Sequence, residues 1–544
     1  MTCRTERSSL WGKTAVLLVV LAISGTAWGK IIYVDADAEG ANNGLNWTDA
    51  FTDLQDALGA DGAEEIRVAQ GVYTPAEPFS SDRTASFVIP DDVAIKGGYA
   101  GFGEPDPNAR DITLYETILS GDLNGDDVEV ADVCNLLTEP TRSENNYTVV
   151  YCGGGEAALL DGFTITGGNA NAPGPYDPDL PYYTSGGGLC CDGMATISNC
   201  TIKANSAVMG GGIYIAGYSY PTIGSNTIKG NAAGQDGGGI CFYSEQPYYL
   251  PTISGNLIKD NTAKKDGGGI HCRSSQFPAI PLTINGNTIM GNVADDSGGG
   301  IYIQNFWTQI ENNIITGNKA EDGGGFWCRD SLYVTMNNNT ISGNRAVDAG
   351  GGVSCRWNSF ASITNNILWG NTALSGPEIS LRDGSTLVAC YCDVAGGSDQ
   401  AHVETGSWLD LDIGSIDDDP CFADPGYWDP NGTPGDPNDD SWAAGDYHLK
   451  SQGGRWDANE GGWTIDEVTS LCIDAGGLMT PIGFEPFPNG GIVNMGAYGG
   501  TDQASKSYFD KPPCETIVAG DLNGDCVIDF RDVHIMTLHW LESR

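Results

Sequence analysis

The sequence predicts an all-β solenoid, a parallel β-helix, and three observations carry that prediction. The first is a run of glycine triplets. Between residues 186 and 352 three consecutive glycines begin at Gly186, Gly210, Gly237, Gly267, Gly298, Gly323 and Gly350, spaced by 24, 27, 30, 31, 25 and 27 residues. The second is an asparagine pair that keeps step with them. Asn226, Asn256, Asn287, Asn313, Asn339 and Asn366 each stand five residues before another asparagine, at 231, 261, 292, 318, 344 and 371. Self-similarity at this period is the mark of a solenoid, whose units bury their apolar faces only against neighbouring units. The third is the pattern inside one unit, 251–269, PTISGNLIKDNTAKKDGGG. Thr252-Ile253 and Leu257-Ile258 read as short strands separated by a Gly-Asn turn. Ile270-His271-Cys272-Arg273 follows the glycines as a third, alternating strand. Three short strands and three turns make one rung.

The two columns have mechanical explanations. A side-chain amide carries an acceptor and two donors, so stacked asparagines can bond from rung to rung. Glycine suits a turn with positive φ and close backbone approach. Both columns are therefore read as structural. The second residue after each aliphatic is Cys191, Ile215, Phe242, Cys272, Ile303, Cys328 or Cys355, a mixture expected of a buried small hydrophobe. Cys200 takes a slot that is asparagine in the next six units. Cys328 and Cys355 should stack on adjacent rungs, about 4.8 Å apart. That is long for the Cβ separation of a relaxed disulfide, so free core thiols are expected there.

The elements before and after the repeats follow in order. Arg4, Arg7 and Lys13 form a basic region, 15–23 an apolar core, and Ala27-Trp28-Gly29 a small-residue cleavage site. Residues 1–29 thus read as a secretory signal, and the apolar run is shorter than the ~20 residues that span a bilayer. No other stretch could span. The expectation is an exported protein: extracellular, on the cell surface or periplasmic. Residues 30–150 read as an N-terminal cap and first rungs. Ile31-Ile32-Tyr33-Val34 is a strand, 48–58 an amphipathic helix with Phe51, Leu54 and Leu58 on one face, and 66–73 a first rung. Regular repeats occupy 151–390. Residues 391–510 lose the period, become rich in Asp, Pro, Gly and Trp, and read as irregular final rungs and a C-terminal cap.

A formal charge of −45 excludes nucleic acid as a partner and favours cations, calcium above all. Residues 514–544 supply a calcium loop by spacing: Asp521, Asn523, Asp525, the Val527 carbonyl, Asp529 and Asp532 fall at positions 1, 3, 5, 7, 9 and 12. Val533, Met536 and Trp540 then lie at helical spacing, as an exit helix. Gly121-Asp122-Leu123-Asn124-Gly125-Asp126 repeats the opening of that loop, but Val130 and Val133 stand at its positions 9 and 12. Sixteen cysteines include Cys3 in the signal, which leaves an odd fifteen. Export permits disulfides.

The pattern N-T-I-x-G-N-x-A followed by GGGI resembles the right-handed parallel β-helices of the pectin-lyase-like superfamily. It also resembles the GG[ILV] repeats of polymorphic outer-membrane proteins. The likeness covers about 31–505. It implies a right-handed coil whose open end is plugged by the N-terminal helix, and chemistry on an outward strand face. Lyases of that fold use calcium and an Arg or Lys; its hydrolases use two or three Asp. The outward columns of the triplet strand give His271, Tyr302 and Trp327, and Arg273, Arg329 and Arg356, with Asp330 beside Arg329. Arginine forks carboxylates and rings stack on sugars, so these seven residues are a candidate saccharide strip. No compact Asp or Asp-Arg-Lys cluster matches a known enzyme motif, and the five histidines show no metal-ligand spacing. The charge repels polyanions such as pectate unless calcium bridges them. The tail is similar to a dockerin repeat, which also has Asp at position 12. It departs by having Cys526 at position 6 and a single copy, and Cys514 is a candidate partner for Cys526. That likeness implies a cohesin-like or cell-surface partner. Two classes of function follow: a secreted polysaccharide-directed protein, binding or acting as lyase or glycosidase, tethered through the tail; or a non-catalytic surface spacer.

Overall fold

The computed structural model describes residues 30–544 other than 78, 155–157, 173–182, 218, 245–250, 276–280, 434–438, 510–519, 524–526 and 540–544. Residues 1–29, expected to be a secretory signal, and Cys514, Asp525, Cys526 and Trp540 lie outside the described residues.

The repeats coil into a parallel β-solenoid. Four sheets run along it, here numbered in the order one rung visits them. S1 has 13 strands, from Lys30–Val34 to Trp408–Ile413; S2 has 11, from Gly71–Tyr73 to Asp393–Val394. S3 has seven, from Asn169–Ala170 to Arg345–Ala349, and S4 has 11, from Phe87–Val88 to His402–Val403. The rung read from sequence resolves into Thr252–Ser254, Leu257–Lys259, Thr262–Ala263 and Ile270–Ser274. It therefore has four strands, not three. The added strand is two residues long, directly after Asn261, where alternation cannot signal it.

Each sheet sends one column inward. Ile223, Ile253, Ile284 and Ile310 stack in S1, and Ile228, Ile258, Ile289 and Ile315 in S2, all fully buried. Each such side chain contributes about 1.5–3 kcal/mol. Cys191, Ile215, Phe242, Cys272, Ile303, Cys328 and Cys355 form the inward column of S4, also fully buried. Cys328 and Cys355 are register partners, and the 13 described cysteines are free thiols.

The asparagines form two ladders along the turns. In one, each side-chain oxygen accepts the backbone N–H and the Nδ2 of the asparagine one rung earlier, from Asn205 through Asn231, Asn261, Asn292, Asn318 and Asn344 to Asn371. Glu378 ends this ladder by accepting Asn371 N–H at 3.1 Å and its Nδ2. The glycines of a triplet are needed for different reasons. Gly267 sits at φ +68°, whereas a Cβ on Gly268 would come within 2.6 Å of Gly299 O in the next rung.

The N-terminal helix is Leu54–Leu58, shorter than the 48–58 expected. Asp53 caps it by accepting Gln55 N–H at 2.8 Å, and Phe51 bridges to Val34 instead of joining the helix. Leu54 and Ala57 are buried in the core of the first rungs.

The parallel coil continues beyond residue 390, to Trp408–Ile413. The chain then forms three antiparallel pairs: Phe422–Asp424 with Asp446–Leu449, Tyr427–Asp429 with Ser441–Ala443, and Arg455–Asp457 with Gly462–Thr464. This segment packs along the flank of the coil. Tyr447 Oη lies 2.5 Å from Thr316 Oγ1, Trp428 Nε1 donates to Gly343 O at 2.8 Å, and Asn312 Nδ2 donates to Gly499 O at 2.9 Å. Among the described residues no helix is long and apolar enough to cross a membrane, which says nothing of a β-barrel.

Candidate functional site

The strip expected on S4 divides into two. Cys241, His271, Tyr302, Trp327 and Ser354 are in register on the side of S4 that faces away from the core. They are nevertheless covered. His271 and Tyr302 are 3% exposed and Trp327 4%. The triplet turns fold against this column: a Cβ on Gly267 would lie 2.6 Å from His271 Cβ. The rings stack on one another, His271 on Tyr302 at 4.7 Å and Tyr302 on Trp327 at 4.6 Å. These three are therefore not platforms for a sugar, which corrects the expectation.

The arginine column remains at the surface. Arg273 is exposed, 5.9 Å above the Tyr243 ring. Arg356 is engaged by Asp322, Nη2 to Oδ2 2.8 Å. Arg329 lies 3.2 Å over the ring of Trp357 and 3.3 Å from Asp330. Trp357 is 37% exposed.

Two acids join this region that strand alternation did not indicate. Asp236 and Asp266 each precede the first glycine of a triplet, and their oxygens and a His271 ring nitrogen all lie within 4.8 Å of one another. Burial pushes Asp266 up to about 7, and the neighbouring Asp236 and Asp296 add to it. Burial lowers His271 to about 4, so its imidazole is neutral at pH 7.

An open ring column lies on S1 instead. Trp307, Tyr333, Phe360 and Trp408 begin the strands Trp307–Glu311, Tyr333–Asn337, Phe360–Thr364 and Trp408–Ile413. The ladder aligns them, with Thr386 between the last two. Tyr333 is 56% exposed, Phe360 39% and Trp408 65%. Trp307 and Tyr333 have ring centroids 6.0 Å apart. Trp357, under Arg329, stands three residues before Phe360. The result is a row of rings at rung spacing, with a cation and Asp330 at its side.

In the tail, residues 520–523 and 527–529 are described ahead of the helix Phe530–His539. Asp521, Asn523 and Asp532 are buried. Asp532 Oδ1 accepts Leu522 N–H at 2.7 Å and Asn523 N–H at 3.4 Å, and Oδ2 accepts Asp529 N–H at 2.7 Å. Burial pulls the Asp532 carboxyl up, and these backbone donors outweigh it and leave it below the usual range. Five of the six predicted positions thus have a described place, and Asp525 is the sixth. The helix turns Asp532 and Ile535 inward, Ile535 against Gly491, while Val533 and Met536 face solvent.

A family of proteins described as the right handed beta helix region matches residues 108–294 and 268–410, more than half of the chain. The chain belongs to this family. Among solved structures it is similar to the crystal structure of pectate lyase Pel9A, at 14% identity and a TM-score of 0.45, over 86% of this chain and 95% of that one. No curated protein sequence matches it. In this right-handed β-helix the exposed rings carry a sequence signal of their own. Trp307, Tyr333 and Phe360 follow the first glycine of their triplets by 9, 10 and 10 residues. This column begins the strand that follows the triplet strand.

Proposed function

We propose that this right-handed β-helix binds a polysaccharide along the S1 ring column, with Arg329 and Asp330 reading polar groups at its edge. The observation that carries this is the column itself. Trp307, Tyr333, Phe360 and Trp408 are in register, and three of the rings are more than a third exposed. A solenoid that buries its apolar residues has no structural need for them at the surface, and a repeating ring row suits a repeating sugar chain. The charge of −45 favours a neutral glycan, or a uronate bridged by calcium. Titration with a panel of neutral and uronate glycans, with and without calcium, tests it through tryptophan fluorescence. Tyr333→Ala and Trp408→Ala should each weaken binding roughly 2- to 12-fold, the equivalent of one ring contact. Absence of binding across the panel refutes the reading. The same incubations, assayed for unsaturated product and new reducing ends, test turnover.

The tail reads as a calcium-binding module that tethers the chain to a cohesin-like or cell-surface partner. Asp521, Asn523, Asp529 and Asp532 would hold the ion, with the Val527 carbonyl, and the ion would rigidify the loop against its exit helix. The fold of the loop around Asp532 supports this, as does an all-oxygen donor set. Calcium calorimetry on the full chain checks it: Asp532→Ala should abolish one binding event.

A further inference from the structure

The tail shares the hexapeptide GDLNGD with residues 121–126, where the sequence lacks ligands at positions 9 and 12. The fold supplies them from elsewhere. Asp122 Oδ1 accepts Gly125 N–H at 2.7 Å and Asp126 N–H at 3.3 Å, and its Oδ2 accepts Asp127 N–H at 3.1 Å. The chain then passes through two short 3-10 turns and returns, so that Glu144 brings a carboxylate oxygen within 4.8 Å of those of Asp122 and Asp126.

Independent evidence comes from oxygens with nothing to accept. Asn145 is fully buried. Its Nδ2 donates to Asp127 Oδ2 at 2.9 Å and to Gly167 O at 2.6 Å, both acceptors, which fixes the orientation of the amide. Its Oδ1, the other end of that amide beside Asp127, is buried without a partner. Glu144 Oε1 and Asp127 Oδ1 are likewise buried and unpartnered. Buried acceptors are normally satisfied, so these three oxygens call for a hydrogen-bond donor or a cation. Two arginines border this corner: Arg83, whose Nε donates to Asn145 O at 2.6 Å, and Arg142. Arg142 meets Asp127 Oδ2 at 2.9 Å and spends its Nη2 on the carbonyls of Gly168 and Ala204. Two guanidiniums thus stand among Asp122, Asp127 and Glu144. Burial and the crowding of carboxylates raise Glu144 and Asp127 above the usual carboxylate range.

We infer that Asp122, Asp126, Asp127, Glu144 and Asn145 form a second calcium site, within the first rungs and separate from the tail. The donors are all oxygen, with no imidazole or thiolate, which selects a hard cation over a transition metal. The ion would pin the loop 121–127 to the segment 142–146, whose Arg142 reaches two further rungs through Gly168 and Ala204.

The test uses the full chain with the tail loop silenced by Asp521→Ala and Asp532→Ala, stripped with chelator and titrated calorimetrically with calcium chloride to several millimolar. One ion should bind, and calcium should raise the melting temperature. Adding Glu144→Gln, or Asp126→Asn at an exposed position that folding does not need, should weaken that binding tenfold or more. No uptake by the tail-silenced chain, or uptake unaffected by both further substitutions, overturns the inference. If the tail reading alone fails, the silenced and unaltered chains will bind calcium equally, so the two failures are distinguishable.

Discussion

Replacing Asn292 tests whether the ladder holds the rungs together. Asn292 is fully buried. Its Oδ1 accepts Asn261 N–H at 3.1 Å and Asn261 Nδ2 at 2.9 Å; its Nδ2 donates to Ile258 O and to Asn318 Oδ1, both at 2.9 Å. In Asn292→Ala, Asn261 Nδ2 keeps Ile228 O and Asn318 Oδ1 keeps the backbone N–H of residue 292. The Asn261 backbone N–H loses its acceptor inside the protein. One orphaned buried donor costs about 2 kcal/mol, and the three other lost bonds add about 0.5 each because their partners are still engaged, so the substitution should cost about 3 to 4 kcal/mol. Asn292→Asp keeps both acceptor contacts to Asn261 but sets a carboxylate oxygen against Ile258 O and Asn318 Oδ1. Its cost should grow as pH rises, since burial favours the protonated form. Urea unfolding gives the global change, and amide exchange over residues 256–269 shows whether the loss is local, as nearest-neighbour coupling requires. Asn285→Ala, at an exposed position one turn earlier, is the control and should stay within about 0.5 kcal/mol. Equal costs at 292 and 285 would show that the ladder contributes nothing beyond filling space.

Two further outcomes follow from the same rungs. Gly299→Ala should be severely destabilising, because a Cβ there lies 2.5 Å from Lys319 O and 2.6 Å from Gly324 O; Gly370→Ala, at φ +71° with no atom within 4 Å, should cost only the roughly 1–2 kcal/mol of the backbone conformation. Thermal melts of the two variants compare them. Glu378 is raised from 4.5 to about 8 by burial, against the pull of its Asn371 bonds. The folded state thus favours its neutral form, a contribution complete below pH 4.5 and lost as pH rises to about 8. Melting temperature should fall across that window, and Glu378→Gln should flatten the slope; an unchanged slope refutes the assignment.

Period and composition made the coil legible because its two columns are steric and hydrogen-bonding necessities. A glycine pressed against the next rung and an amide bonded to the next amide leave little choice of residue. The inward faces followed from alternation. Alternation did not show what lies over an outward face, so His271, Tyr302 and Trp327 were assigned to solvent although the triplet turns cover them. The S1 rings Trp307, Tyr333 and Phe360 keep a distance of 9 or 10 residues from the first triplet glycine, but they begin the strand after the triplet strand, where alternation within the triplet strand does not reach. Glu144 escaped for a different reason: closing a cation shell across 18 residues beyond Asp126 is a property of the folded loop. The tail loop, contiguous and regularly spaced, was readable as a motif.

A single serine decides how Arg329 is presented. Arg329 and Arg356 are register partners, and so are Ser297 and Asp322 one rung back. Arg356 therefore finds Asp322 at 2.8 Å, while the corresponding position for Arg329 holds Ser297, which carries no charge. Left without that acid, the Arg329 guanidinium settles 3.2 Å over Trp357, beside the exposed ring row. Ser297→Asp should draw Arg329 back toward S4, uncover Trp357 and remove the cation from the edge of the glycan site. A cation held on a ring at a partly exposed site is worth about 0.5–2 kcal/mol, so affinity for a carboxylated glycan should fall roughly 2- to 30-fold while a neutral one changes little. Fluorescence titration of Ser297→Asp and Arg329→Ala against both glycans measures this. Equal losses for both glycans, or none for either, would show that Arg329 serves only to shield Trp357.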